Sequence, residues 1–300
     1  MKIASSRGTI LFSMHSDALA QSLCQSLGAN VGQWSHRRFP DGESYIRVDT
    51  AVENRDCIVL ADLSRPDEKF LPLIFLLDTL RSLGAGRIGL VAPYLCYLRQ
   101  DTCFHPGEAL SAQYFASLLN PHIDWLMTVD PHLHRYHSLS QLYSVPTKVV
   151  HGAAALADFL SDTQDLLLVG PDKESEQWLS DLSTLSGHDF VIAEKIRVGD
   201  REVKITLPNL SKYSRNSALI VDDIISSGHT ILACAQALKR QHITNIGCVA
   251  VHGIFADDVD QDFAEQGLTP IVTTNTIPHS TNKIDIAPTL SSALNSFLEN

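Results

Sequence analysis

A series of short apolar runs sets the strongest limit on how this chain can fold. TILFS, CIVLADL, RIGLVAP, WLMTVD, TKVV, LLLVGPD, FVIAEK, ALIVDD, GCVAVHG and PIVTTN recur along its 300 residues, most of them separated by stretches with helical spacing. A strand that is apolar on both sides must be covered on both. Such strands alternating with helices predict an α/β protein with mainly parallel sheets flanked by helices. In GEALSAQYFASLLN the spacing places Leu110, Tyr114, Phe115, Leu118 and Leu119 on one expected helical face. The length favours two domains or one large one. The expected boundary lies near YSVPT (143–147), where a proline precedes a fresh strand, dividing the chain into 1–146 and 147–300.

Charge and composition exclude several classes of function. The formal net charge is −11, so the general field repels nucleic acid and anionic membranes. A phosphate-bearing ligand must therefore be held by a local site. The most apolar segment, FLPLIFLL (70–77), is too short to span a bilayer, and the N-terminus lacks the apolar core of a signal peptide. The six cysteines are scattered without CxxC spacing, which suits a reducing cytoplasm and offers no zinc site. The expectation is a soluble cytoplasmic protein with no nucleic-acid or membrane partner.

Several apolar runs end in acid: VD at 129–130, GPD at 170–172 and VDD at 221–223. Ligands of open α/β sheets bind outside the carboxyl ends of the strands, so chemistry is expected there. In ALIVDDIISSGHTI (218–231), Ala218–Val221 reads as a buried strand and Ile231 onward as a helix. Between them Ser226, Ser227, Gly228, His229 and Thr230 form a turn whose N–H groups can face one anion, helped by the helix N-terminus. Asp222 and Asp223 would then accept from sugar hydroxyls or hold metal-bound water. By itself the stretch reads equally as an Asp-rich turn capping a helix. The GxxxxGK[ST] pattern of a Walker loop is absent.

Further motifs in fixed order break the tie. With RRFPDGESYIRV (37–48), APYLCYLRQDTCFHPGEALSAQ (92–113), TVDPHLHR (128–135), LLLVGPDKESEQW (166–178) and AEKIRVGDREVKI (193–205), the chain resembles the ribose-phosphate pyrophosphokinase family over most of its length. The closing segment TTNTIPHSTNKIDIAP (273–288) fits as well. The resemblance implies two type I phosphoribosyltransferase-like domains, the last helix packing back on the first of them. It implies ATP and ribose 5-phosphate as substrates, Mg2+ as cofactor and a homo-oligomer. ATP would meet Phe39, stacked on adenine, with Asp41, Gly42, Glu43, Arg99 and Gln100, while Asp101 orders its loop. Asp222, Asp223, Ser226, Ser227, Gly228, His229 and Thr230 would take ribose 5-phosphate. His132 and Asp172 would be magnesium-site residues, and Lys195 and Arg197 catalytic. His134 and His137 are bystanders in this reading.

Two departures stand out: Glu174 and Ser175 replace small residues after Asp172, and His229 stands where the family commonly has glycine. The GDREV segment (199–203) looks closer to archaeal-type relatives. The rival readings are a phosphoribosyltransferase, which would not need the motifs of the first half, and a regulatory paralogue without catalysis. Retained Lys195, Arg197, His132 and Asp172 oppose the second.

Overall fold

The computed structural model describes residues 8–197, 203–213 and 217–298; of residues 174, 195–197, 203, 204 and 212 it describes the backbone alone. The chain divides into two compact units, 1–150 with 287–300 and 151–286.

The first unit is built on a parallel sheet. Its elements run β1 (Ile10–Met14), α1 (Asp17–Leu27), β2 (Asn30–Val31), β3 (Trp34–Arg38), β4 (Ser44–Val48), β5 (Cys57–Ala61), α2 (Asp67–Ser82), β6 (Ile88–Ala92), α3 (Ser111–Leu119), β7 (Trp125–Val129) and β8 (Thr147–Val150). The strand order is β2-β1-β5-β6-β7-β8, with every pairing parallel, while β3 and β4 form a separate antiparallel hairpin. The central strands β5, β6 and β7 are buried at every residue, as expected for runs apolar on both faces. Because β8 pairs with β7, the unit closes after Val150 rather than before Thr147, one strand later than the proline suggested.

The second unit repeats this plan. It runs α4 (Ala153–Leu160), β9 (Leu166–Gly170), α5 (Glu176–Ser186), β10 (Asp189–Ile192), β11 (Glu194–Arg197), β12 (Val203–Thr206), β13 (Ser217–Ile225), α6 (His229–Arg240), β14 (Asn245–Gly253), α7 (Val259–Glu265), β15 (Ile271–Thr274) and β16 (Asn282–Ile284). Its sheet has the order β10-β9-β13-β14-β15-β16, again wholly parallel, with β11 and β12 as a side hairpin. The run FVIAEK is two strands broken at Ala193. The final helix α8 (Ala287–Leu298) belongs to the first unit, where Phe297 meets Trp125 edge-on at 5.5 Å between ring centroids.

In α3 the apolar stripe splits. Ala112, Phe115, Ala116 and Leu119 are buried, whereas Tyr114 and Leu118 are exposed, so the single buried face expected from the spacing is corrected. Tyr114 and Leu118 line an open groove of about 370 Å³ together with Phe70 and Leu71 of α2. The FLPLIFLL run lies within α2. No helix among the described residues is long and apolar enough to cross a membrane. The cysteines are free thiols, all buried except Cys103.

Candidate active site

In each sheet the strand order reverses beside the first long strand, between β1 and β5 and between β9 and β13. Crevices at such reversals are where open α/β sheets receive ligands. The VDD acids lie at the reversal of the second sheet: β13 carries Asp222 and Asp223 toward its carboxyl end, and Asp172 follows the end of β9 beside it.

Burial raises the proton affinity of Asp222 well above that of an ordinary aspartate, and the negative charges of Asp223 and Asp172 push it the same way. The Asp223 N–H donates to Asp222 Oδ1 at 3.0 Å, which opposes the rise, and the Ile224 N–H donates to Asp223 Oδ1 at 2.8 Å. Oxygen-only groups crowded in this way suit a divalent cation, which would relieve their repulsion. Among the described residues no three metal-ligating side chains form a ready cage.

Beyond Ile225 the chain turns into α6. Gly228 sits in the left-handed region at φ +69°, immediately before the helix. A Cβ there would lie 2.6 Å from both Val259 and Phe263 of α7, so close approach as well as backbone angle requires glycine. The segment leaving β14 supports the turn through N–H groups of Ile254, Phe255 and Ala256, which donate to the carbonyls of Ile225 and Ser226. That support is itself held in an uncommon conformation, with positive φ at Phe255, Asp257 and Asp258. The first turn of α6 contains no acid. Backbone N–H groups of the turn and the positive end of α6 therefore form an anion-receptive corner behind which the acids stand. Ser226 and Thr230 are half-buried and Ser227 is exposed. The exposed His229 ring neither hangs free in solvent nor replaces a turn N–H: its Nδ1 lies 3.0 Å from the Ser227 carbonyl.

After Asp172 the altered Lys173–Ser175 stretch is a single tight turn, with Ser175 Oγ donating to the Asp172 carbonyl at 2.6 Å. Ser175 Oγ would lie 2.5 Å from a Cβ at Gly170, which explains glycine at the strand end.

In the first unit Phe39, Asp41, Gly42 and Glu43 form the exposed tip of the β3–β4 hairpin. The turn is closed by Phe39 N–H to Glu43 O, Gly42 N–H to Phe39 O and Glu43 N–H to Asp41 Oδ1. The Arg37 guanidinium lies 4.4 Å from the Phe39 ring centre and 4.3 Å from that of Tyr45. Arg37 is thus a neighbour of Phe39 that the motif alone did not single out, although strand alternation could have placed it. Arg99 is exposed, and Gln100 accepts from Ser111 Oγ at 2.8 Å. Asp101 is buried and accepts from Arg135 Nη1 at 2.6 Å and from the Arg135 N–H at 3.2 Å. Arg135, also missed, thereby ties the loop after β6 to the loop after β7 that carries His132. There His132 and His134 meet edge-on at 4.2 Å.

Lys195 and Arg197 lie on β11 opposite Ile205 and Val203 of β12. Their side chains, and all of 199–202 in the GDREV segment, fall outside the described residues.

Residues 9–122 match the family described as the N-terminal domain of ribose phosphate pyrophosphokinase, and residues 138–279 match the phosphoribosyl transferase domain. The ribose-phosphate pyrophosphokinase of Methanopyrus kandleri is 30% identical over 280 residues, covering 92% of this chain and 94% of its own. That of Sulfolobus acidocaldarius is 32% identical over 271 residues, covering 89% and 92%. The crystal structure of phosphoribosylpyrophosphate synthetase from Mycobacterium smegmatis superimposes with a TM-score of 0.84 over 98% of this chain and 100% of that chain. At 23% identity, that likeness bears on the fold.

Proposed function

The chain belongs to the ribose-phosphate pyrophosphokinase family, and from that membership we propose that it is an enzyme transferring the diphosphoryl group of ATP to the 1-hydroxyl of ribose 5-phosphate. The products are AMP and 5-phosphoribosyl 1-diphosphate. The observation that carries the substrate assignment is the corner between β13 and α6, an anion-receptive turn with two carboxylates directly behind it.

The turn Ser226–Thr230 takes the 5-phosphate on backbone N–H groups and hydroxyls, at the positive end of α6. Asp222 and Asp223 then face the sugar, where carboxylate oxygens accept from hydroxyls. A protonated acid would be the poorer acceptor, so the raised proton affinity of Asp222 favours substrate arriving together with a cation. Magnesium, when bound, would neutralise charge on the nucleotide phosphates and fix their position. His132 and Asp172 are each magnesium-site candidates, as the family resemblance implies. Arg99, Gln100 and the hairpin tip from Phe39 to Glu43 are the nucleotide contacts, with Arg135 holding Asp101 and so the Arg99–Gln100 turn.

Catalysis in such a reaction is mostly positioning and electrostatic stabilisation. Lys195 and Arg197 accordingly offset charge as the diphosphoryl group moves; neither is needed as a covalent nucleophile. A homo-oligomer in a reducing cytoplasm completes the reading, the second part supported by the unpaired cysteines.

The test is to combine the protein with ATP, magnesium and ribose 5-phosphate and analyse the products. AMP with a pentose diphosphate is expected; ADP would indicate an ordinary kinase and overturn the reading. Lys195→Ala should lower kcat by roughly 100- to 1,000-fold, the usual cost of one stabilising donor, with ATP binding by calorimetry unchanged.

A further inference from the structure

Four consecutive carbonyls at the β13–α6 turn are each held by a donor. Ile225 O accepts from the N–H groups of Ile254 at 2.9 Å and Phe255 at 3.1 Å, and Ser226 O accepts from the Ala256 N–H at 3.1 Å. Gly228 O accepts from the Leu232 N–H at 3.0 Å, the first bond of α6. Ser227 O, between them, is held by a side chain: Nδ1 of His229 at 3.0 Å. A carbonyl can only accept, so Nδ1 carries the proton here, in the neutral ring as in the charged one.

The peptide group is planar, and in its trans form the C=O of one residue points opposite to the N–H of the next. Tying the carbonyls of Ile225 and Ser226 therefore aims the N–H groups of Ser226 and Ser227. Tying the Ser227 carbonyl aims that of Gly228. The first two ties come from the backbone leaving β14; among the described residues the third comes from His229. Gly228 most needs such a tie, because glycine gives its backbone more freedom than any other residue.

We propose that His229 is a positioning residue for ribose 5-phosphate: by holding the Ser227 carbonyl out of the cradle it presents the Gly228 N–H to the 5-phosphate. This rests on the proposed function for the identity of the anion. The ring acts on the turn from outside and takes no place in the cradle.

The experiment measures ribose 5-phosphate binding by calorimetry and steady-state turnover for the full-length wild type, His229→Ala and His229→Asn. Asparagine keeps an N–H donor near the place of Nδ1. His229→Ala should raise Kd and KM for ribose 5-phosphate by roughly three- to tenfold, the factor one hydrogen bond is worth, with kcat and the KM for ATP near wild type. His229→Asn should recover most of that loss. Hydrogen exchange of the ligand-free turn should quicken in the alanine variant and not in the asparagine variant. An unchanged Kd in His229→Ala, an asparagine variant as weak as alanine, or a loss shared with kcat and ATP would each overturn the assignment. A wild type that binds ribose 5-phosphate yet releases no AMP defeats the proposed function alone, while Kd still decides the role of His229. A wild type that does not bind ribose 5-phosphate defeats both.

Discussion

The two units carry the same strand order, yet the loops at their equivalent reversals have opposite chemistry. In the first, the loop leaving β5 closes on itself. Asp62 accepts from the Ser64 N–H at 2.9 Å and pairs with Lys69 Nζ at 2.5 Å, and Lys69 also reaches Ser64 Oγ. Pro66 stands before α2 without an N–H to offer, and Asp67 and Glu68 fill the first turn of the helix with negative charge. In the second, Gly228 stands before α6, the first turn holds no acid, and Asp222 is crowded by Asp223 and Asp172. The fold supplies a crevice twice; the residues before and within the first helical turn decide whether it can take an anion.

The strongest way to break this contrast is to give the second loop the charge of the first. Thr230→Glu places a carboxylate in the first turn of α6, as Asp67 and Glu68 do in α2. Acid there favours the helix by about 0.3–1 kcal/mol, so thermal stability should hold or rise slightly. On the proposed function the same charge would repel the 5-phosphate, and kcat/KM for ribose 5-phosphate should fall by about 100-fold, some 3 kcal/mol, with ATP binding intact. An unchanged KM would show that the start of α6 receives no anion.

Backbone geometry gives a second, smaller contrast. Arg65 in the first loop holds φ at +49° with its side chain exposed, whereas Gly228 at +69° faces Val259 and Phe263 at 2.6 Å from a would-be Cβ. Positive φ is thus tolerable with a side chain in one loop and obstructed in the other. Gly228→Ala should cost about 2–3 kcal/mol in urea unfolding, from strain together with overpacking. A cost under about 0.5 kcal/mol would mean that α7 yields freely and that the turn is not pinned by it.

The strands were legible because each is a compact apolar run: those from LADL to TVD are β5, β6 and β7, buried throughout. Their order was not, because pairing joins residues far apart in sequence, and so the shared reversal of the two sheets went unseen. Thr147–Val150 showed its strand character but not its partner, which moved the domain boundary by one strand. Asp222, Asp223 and Gly228 could be picked from local pattern as acids and a turn glycine. The ties from Ile254, Phe255 and Ala256 could not, since they come from the far end of the next strand. Arg135 was in plain view in TVDPHLHR, but only the folded loop brings it to Asp101. Roles for Lys195 and Arg197 came through family resemblance, because a bare Lys-x-Arg on a strand carries no local signal.

The smallest effect expected is also the one whose sign separates the loops most cleanly. Asp222 binds its proton more tightly in the folded protein than in the unfolded chain. Its contribution to stability is therefore fullest below the ordinary aspartate range, at about pH 4, and is lost as pH rises through the elevated folded-state value. Asp222→Asn removes a charge that burial and two neighbouring acids oppose. Without metal or substrate, the variant should match the wild type near pH 4 and become progressively more stable above it. A gain of about 1 kcal/mol would move the melting midpoint by roughly 3–5 °C. Asp62→Asn should do the reverse at neutral pH, since it takes from Lys69 the carboxylate that pairs with it; part of that pair is exposed, so the loss should stay near about 1 kcal/mol. Thermal melts from pH 4 to 8 in the presence of a chelator test both. A gap between wild type and Asp222→Asn that stayed constant or narrowed with rising pH would mean that the acids behind the turn are not electrostatically strained. A loop that sacrifices stability to keep a carboxylate is the behaviour expected of a functional site, and a loop that pairs its carboxylate is that of a structural one.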